Sequence, residues 1–240
     1  MFLCGGSVKA GGYVRKDIAL VAVLLAVLAA IPARATEEAF AATTNPLDSG
    51  AAAVPPEAAQ YFVSQAMACL RRAEDAPTSD VEMAAYREAL EFARRAVAAD
   101  EQNPDAHFAM FASEGSIMLR TGASVNPINL MKVNQQLDRA LQLDPQHADA
   151  LAAKGGLYRQ LPWILGGDLN KAEDCLTRAI ALEPNAVTAR IELAATYRDM
   201  GQPERGLPLA ERALQIAQGQ GRRRKTAEAR RLLEELRLKQ

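Results

Sequence analysis

Two stretches of this chain, KGGLYRQLPWILGGDLNKAEDCLTRAIALEP (154–184) and IELAATYRDMGQPERGLPLAERALQIAQ (191–218), carry the same order of small and large residues. The pattern positions are Gly155, Tyr158, Ala172, Leu176, Ala179 and Pro184 in the first stretch, and Ala194, Tyr197, Gly206, Ala210, Ala213 and Gln218 in the second. Small side chains let the two helices of a hairpin approach closely, and larger side chains fill the holes between them. The pattern therefore predicts repeated helical hairpins.

The two stretches differ in the number of residues between their helices. Gly155 and Ala179 are 24 positions apart, whereas Ala194 and Ala213 are 19 apart, which predicts a five-residue insertion in the first. The small, aromatic, small, apolar, small, proline order resembles the tetratricopeptide repeat, a unit of about 34 residues. This resemblance implies hairpins that stack into a solenoid with a concave binding surface.

Proline and glycine positions divide the repeat region into helices, because neither residue continues a helix well. The predicted helices cover 57–75, 79–99, 105–121, 127–143, 147–160, 168–182, 187–200, 203–218 and 222–238. The composition, with 49% hydrophobic and only 5% aromatic residues, also favours helices over sheets. We expect an all-α, tetratricopeptide-like solenoid of about four hairpins plus a C-terminal capping helix. Ser79 or Asp80 is expected to cap the second helix.

The N-terminal region has the pattern of a secretory signal. Arg15 and Lys16 precede an apolar run at 18–31, and the run is followed by the small-x-small sequence at 33–35. We predict cleavage after Ala35 and a periplasmic or secreted location. An uncleaved anchor is the alternative, but the run of about 14 residues is shorter than the roughly 20 that a membrane span needs.

The chain is thus divided into a signal peptide (1–35), a flexible linker (36–56) and a repeat domain (57–240). Without residues 1–35 it holds 24 basic and 28 acidic residues, a net charge of about −4. This weak acidity argues against nucleic acid as a partner, and we expect no stable membrane span after cleavage. Cys69 and Cys175 are expected to be buried free thiols.

The predicted insertion, at 161–168, is the least ordinary segment of the repeat region. Gly166 and Gly167 allow unusual backbone dihedral angles, and Asp168 can cap the helix that follows. An anion could bind the free N–H groups at this helix start. We expect instead that Asp168 takes that place and that Trp163 folds over the hairpin as a plug.

The order proline, large apolar residues, Leu-Gly-Gly-Asp and Lys-Ala in 161–172 resembles the periplasmic T-component of tripartite ATP-independent transporters. The resemblance covers about 105–184. It implies an accessory protein that stacks with a substrate-binding protein and shelters an apolar ligand. The chain departs from some members in that no cysteine follows the signal as the site of a lipid anchor.

The sequence gives little support to catalysis. The chain has two histidines, His107 and His147, which lie near predicted helix starts and lack the spacing of metal ligands. We expect them to be surface or capping residues. No nucleophile elbow or phosphate-binding loop is present. We therefore expect a protein that is not an enzyme, with no cofactor and no metal site.

The main functional hypothesis is an exported adaptor whose concave surface binds a peptide segment or a helix of another envelope protein. The candidate partner contacts are Arg159, Arg190 and Arg198, which lie on the first helices of their hairpins and are expected to be free of packing. The alternative is a ligand-sheltering transporter accessory, and its candidate contacts are Trp163, Gly166, Gly167 and Asp168. The sequence leaves the oligomeric state open.

The final predicted helix combines an apolar stripe with a basic start. The stripe of Ala229, Leu232, Leu233 and Leu236 is expected to seal the last hairpin. The basic run at 222–225 is expected to be solvated. Contact of this run with anionic lipid or an acidic partner is the alternative.

Overall fold

The computed structural model of the protein describes residues 56–122 and 127–238. Within these ranges the helices are α1 (Pro56–Glu74), α2 (Ser79–Ala99), α3 (Pro104–Thr121), α4 (Pro127–Leu143), α5 (Ala148–Gln160), α6 (Leu169–Leu182), α7 (Val187–Asp199), α8 (Pro203–Gly219) and α9 (Arg223–Arg237). A short 3₁₀ helix, Trp163–Leu165, lies between α5 and α6. The predicted signal peptide, its cleavage after Ala35 and nearly all of the predicted linker lie outside the described residues.

The helices pack as a series of hairpins. The pairs α1/α2, α3/α4, α5/α6 and α7/α8 are in contact, and each hairpin also contacts the next through α2/α3, α4/α5, α6/α7 or α8/α9. The helix α9 packs on both α7 and α8. The structure therefore confirms the predicted all-α solenoid of four hairpins and a terminal helix.

Three equivalent turns join one hairpin to the next, and each begins with an acidic residue: Asp100, Asp144 or Glu183. The backbone N–H of this residue donates to the carbonyl four positions earlier, and its carboxylate accepts the N–H two positions later. A proline follows Asp144 and Glu183, whereas Glu101 follows Asp100. Because all three turns form, the acidic side chain fixes the turn and the proline is dispensable.

Close helix contact explains why the repeat pattern requires small residues. A methyl group added to Gly155 would lie 2.5 Å from Cγ of Leu176, a side chain that is fully buried. A methyl group added to Gly206 would lie 2.9 Å from the carbonyl oxygen of Ala194. The predicted insertion is also confirmed, because eight residues separate α5 from α6 and three separate α7 from α8.

Two predictions about buried side chains are confirmed. The apolar stripe of α9 is buried against α7 and α8, as expected. Cys69 and Cys175 are both buried and free, and burial raises the pKa of both thiols.

The expected cap of α2 is wrong: the hydroxyl of Thr78 accepts the N–H of Val81, because α2 begins at Ser79 itself. Among the described helices, none is long and apolar enough to cross a membrane.

Candidate functional site

The Trp163 turn, residues 161–168, joins α5 to α6 and is held by its own backbone. The N–H of Gly167 donates to the carbonyl of Pro162 at 3.0 Å. The N–H of Asp168 donates to the carbonyl of Tyr158, in the last turn of α5, at 2.9 Å. These bonds anchor both ends of the turn, so the side chains between them project from a fixed base.

The glycines and the aspartate of the Trp163 turn have separate structural roles. Gly166 has a φ of 92°, a left-handed conformation that favours glycine. A Cβ on Gly167 would lie 1.8 Å from the carbonyl oxygen of Leu161. The carboxylate of Asp168 accepts the N–H of Asn170 at 2.9 Å, as expected of a helix cap. This carboxylate occupies the helix start where an anion would bind.

The apolar side chains of the Trp163 turn face solvent. Trp163 is 80% exposed and Ile164 is 59% exposed. Side chains this exposed neither fill a core nor line an enclosed cavity, so the predicted plug is wrong. The physical reason is that the turn closes its hydrogen bonds on Pro162 and Tyr158 and does not fold back over the hairpin.

Trp163→Ala is expected to change the free energy of unfolding by no more than about 0.5 kcal/mol, as is usual for an exposed side chain. Trp163 is the only tryptophan of the chain, so its fluorescence reports this turn alone. We expect acrylamide to quench it as readily as free tryptophan. A protected indole, or a loss of several kcal/mol, would show that the side chain is covered in solution.

Two of the candidate arginines, Arg159 and Arg198, belong to a chain of ion pairs across α5, α7 and α9. Arg159 binds Glu192 at 2.9 Å and Asp199 at 3.2 Å. Arg198 binds the same Asp199 at 2.9 Å and pairs with Glu235. Burial works to lower the pKa of Arg159, but the two carboxylates outweigh it and raise that pKa. The expectation that these two side chains are free of packing is wrong.

The third candidate arginine, Arg190, differs from the other two. It is 8% exposed, and its Nη1 donates to the carbonyl of Ala186 at 3.2 Å. Within the described part of the chain, no carboxylate lies within ion-pair distance of it. Burial lowers the pKa of Arg190, and the nearby charge of Arg212 lowers it further. A partner-binding role for the three arginines stays a prediction.

The structure forms an open groove of about 690 Å³ between α9 and the first helices of the chain. Its walls come from α1, α2, α3 and α9 and include Glu74, Tyr86, Leu119, Arg120, Arg224 and Arg231. Leu119 is 68% exposed, so the groove offers an apolar contact among charged groups. The lining contains four basic and two acidic side chains. Sequence reasoning did not find this groove, because its walls lie more than 100 positions apart in the chain.

Two ion pairs join the start of α9 to the first hairpin, and we name them the ionic clasp. Both carboxylate oxygens of Glu74 accept from Nη2 of Arg222, at 3.0 and 2.9 Å. Nη1 of Arg224 lies 2.9 Å from Oε1 of Glu82. The expectation of a solvated basic run is therefore wrong for Arg222 and Arg224, which pair within the chain.

The histidines have structural partners. The imidazole of His147 accepts the N–H of Ala150 at 3.2 Å, so it caps α5 as expected, and its Nε2 lies 3.1 Å from Asp105. His107 is buried, against expectation, and contacts Gln136 on α4 at 2.8 Å. In residues 56–122 and 127–238, no three His, Cys, Asp or Glu side chains form a group that could hold a metal ion.

No family model matches the chain, and no curated protein matches it in sequence. It is similar to the solved structure of a thermophilic tetratricopeptide-repeat protein from Thermus thermophilus, at 21% identity over 72% of this chain and 92% of that chain, with a TM-score of 0.45. It is similar to Pseudomonas aeruginosa PilF, at 18% identity over 75% and 76%, with a TM-score of 0.45. It is also similar to MamA, at 20% identity over 76% and 88%, with a TM-score of 0.40.

Proposed function

We propose that this chain is an exported protein–protein interaction module that binds a peptide segment or a helix of another envelope protein. The observation that carries the proposal is the open groove between α9 and the first helices, with the exposed side chain of Leu119 in its wall. Stacked helical hairpins commonly present a binding surface of this kind.

The groove has the size and lining that partner binding requires. Its volume of about 690 Å³ lies within the range of binding pockets, about 300–1,000 Å³. Leu119 offers an exposed apolar anchor point, and the buried Tyr86 forms part of the same wall. The charged groups around them can bind polar atoms of a partner and fix its orientation.

The alternative function, a ligand-sheltering transporter accessory, needs an apolar cavity at the Trp163 turn. Trp163 is exposed and does not line an enclosed cavity. The resemblance of this turn to the T-component supports the alternative at the level of sequence, but no contact of the described residues favours it. The rigid, exposed Trp163 turn is better suited to a second contact with a protein partner, since tryptophan is enriched at the centres of interfaces.

Leu119→Asp is expected to weaken capture of the partner from an envelope extract by on the order of tenfold, the effect of one lost apolar anchor. Leu182→Asp is the matched control, because Leu182 is an exposed apolar residue outside the groove wall. A photo-crosslinking residue at position 119 should label the same partner, and one at position 182 should not. Equal capture by both variants, with circular dichroism unchanged, would contradict binding in the groove.

Export is tested separately from binding. The intact mass of protein recovered from the periplasm is expected to correspond to a chain that begins at Thr36, which follows the predicted cleavage site. Recovery of a chain that retains residues 1–35 would contradict a cleaved signal.

A further inference from the structure

We infer that the ionic clasp holds α9 against the first hairpin beside the open groove, and that an acidic segment of the partner releases it by taking Arg222 and Arg224 from Glu74 and Glu82. The inference rests on the proposed function, since it names the chemistry of the partner that enters the same groove. Arg224 and Glu74 are members of both the clasp and the groove wall. Opening the clasp therefore changes the groove directly.

Two ion pairs join α9 to the first hairpin, whereas no buried apolar cluster of the described residues spans them. The apolar cluster that contains the buried residues of α9 is confined to α7, α8 and α9. The apolar clusters that contain residues of α1 or α2 are confined to α1, α2 and α3. Ion pairs between partly exposed side chains contribute little to stability and are screened by salt. The clasp is thus far weaker than the hairpin contacts, and it can open while the hairpins stay folded.

When the clasp opens, Glu82 keeps other partners, whereas the two arginines lose their ion pairs. Glu82 is largely buried and also accepts the hydroxyl of Tyr86 at 3.2 Å and pairs with Arg120. It therefore keeps two partners after Arg224 leaves. Among the described residues, Arg222 and Arg224 have no other ion pair than those of the clasp. Opening frees two guanidinium groups on α9 and one carboxylate, that of Glu74, on α1.

The surroundings of the freed groups favour an acidic partner. The two guanidinium groups lie in a run of four basic residues, 222–225. The groove lining contains four basic side chains, those of Arg120, Arg224, Lys225 and Arg231. It contains two acidic ones, those of Glu74 and Glu228. Guanidinium groups form strong, charge-assisted hydrogen bonds with carboxylates, and Nη2 of Arg222 already donates to both oxygens of Glu74. A segment with two or more carboxylates can replace Glu74 and Glu82, and an apolar residue beside them can contact Leu119.

The test measures the distance between α1 and α9 in the purified protein. Spin labels are placed at the exposed positions Ala68 and Glu234 in a chain whose three natural cysteines, Cys4, Cys69 and Cys175, are replaced by alanine. Pulsed electron paramagnetic resonance should give one short distance at low salt and a longer one at high salt. Hexaglutamate should lengthen the distance at a concentration at which hexalysine, at equal ionic strength, does not.

Charge swaps identify the groups responsible. Glu74→Arg should give the long distance at low salt, and Glu74→Arg with Arg222→Glu should restore the short one. The matched control exchanges the charges of Glu211 and Arg237, an ion pair between α8 and α9 at 3.4 Å, and should change nothing. A distance unchanged by salt and by Glu74→Arg overturns the clasp, and equal opening by hexalysine overturns the acidic partner.

This experiment can fail independently of the proposed function. It needs no natural partner, because the probes are salt and two defined peptides. If the distance does not change but Leu119→Asp still weakens capture, the groove binds its partner without a clasp. If the clasp opens but Leu119→Asp has no effect, the proposed binding in the groove is wrong.

Discussion

Leu176→Ala is expected to lower the free energy of unfolding by about 2–5 kcal/mol, one of the two largest effects of a single substitution that we foresee. Leu176 is fully buried in the contact between α5 and α6. Its removal costs the transfer of its side chain from water and leaves a cavity against Gly155, which has no side chain to fill it. Urea denaturation followed by circular dichroism measures the change.

Gly155→Ala tests the same contact from the other side. Alanine gains about 1 kcal/mol over glycine in a helix, but its methyl group would lie 2.5 Å from Cγ of Leu176. Overpacking of this kind costs about 1–3 kcal/mol. We expect Gly155→Ala to be destabilising in the wild type and neutral or stabilising in the Leu176→Ala protein. The two substitutions should therefore be strongly non-additive.

A matched control separates the buried contact from the loss of any leucine. Leu238 is among the exposed leucines, and Leu238→Ala should change stability by no more than about 0.5 kcal/mol. Additive effects of Gly155→Ala and Leu176→Ala would contradict direct contact between the two positions. A Leu176→Ala protein as stable as the Leu238→Ala protein would contradict the packing of the hairpin itself.

Arg159→Met is expected to destabilise the protein by about 3 kcal/mol, the second large effect. The side chain of Arg159 lies between Glu192 and Asp199, and all three are mostly buried. Removing the guanidinium leaves the buried carboxylate of Glu192 without its counter-charge and leaves Asp199 with Arg198 alone, which costs more than the ion pair contributes. The loss should persist at high salt, because salt screens buried pairs weakly.

Two further variants identify the cause of this loss. Glu192→Gln in the Arg159→Met protein should recover part of the stability, because it removes the carboxylate that has lost its counter-charge. Arg237→Met is the control, since Arg237 pairs with Glu211 where both side chains are exposed, and it should cost about 1 kcal/mol or less. Equal losses of stability for Arg159→Met and Arg237→Met would show that the ion pairs between α5 and α7 stabilise the protein no more than an exposed ion pair does.

Substituting all three candidate arginines is a poor way to map the partner site. A variant with Arg159, Arg190 and Arg198 all changed to alanine would lose ion pairs that join α5, α7 and α9. Loss of partner binding in that variant would reflect lost stability as much as a lost contact. Leu119 and the clasp residues are better positions, because they lie at the groove and outside this network.

The sequence by itself determined the hairpins and their order. The pattern of Gly155, Leu176 and Ala179 recurs at Ala194, Ala210 and Ala213 with five fewer residues between the helices, and it encodes contacts between neighbours along the chain. Such contacts depend on residues within about one repeat of each other, so a pattern in the sequence reveals them. The lengths of the helices and the five-residue insertion follow from the same spacing and from proline and glycine.

Only the tertiary structure decided which polar and apolar side chains are available to a partner. Arg159 and Arg198 look like free surface charges in the sequence, but their carboxylates come from the neighbouring helices α7 and α9. Trp163 looks like a core residue, yet the hydrogen bonds of its turn hold it in solvent. The groove and the ionic clasp join residues more than 100 positions apart in the chain. Their pairing depends on the rotation of each hairpin relative to the one before it, added over four hairpins. No local sequence pattern indicates this total rotation.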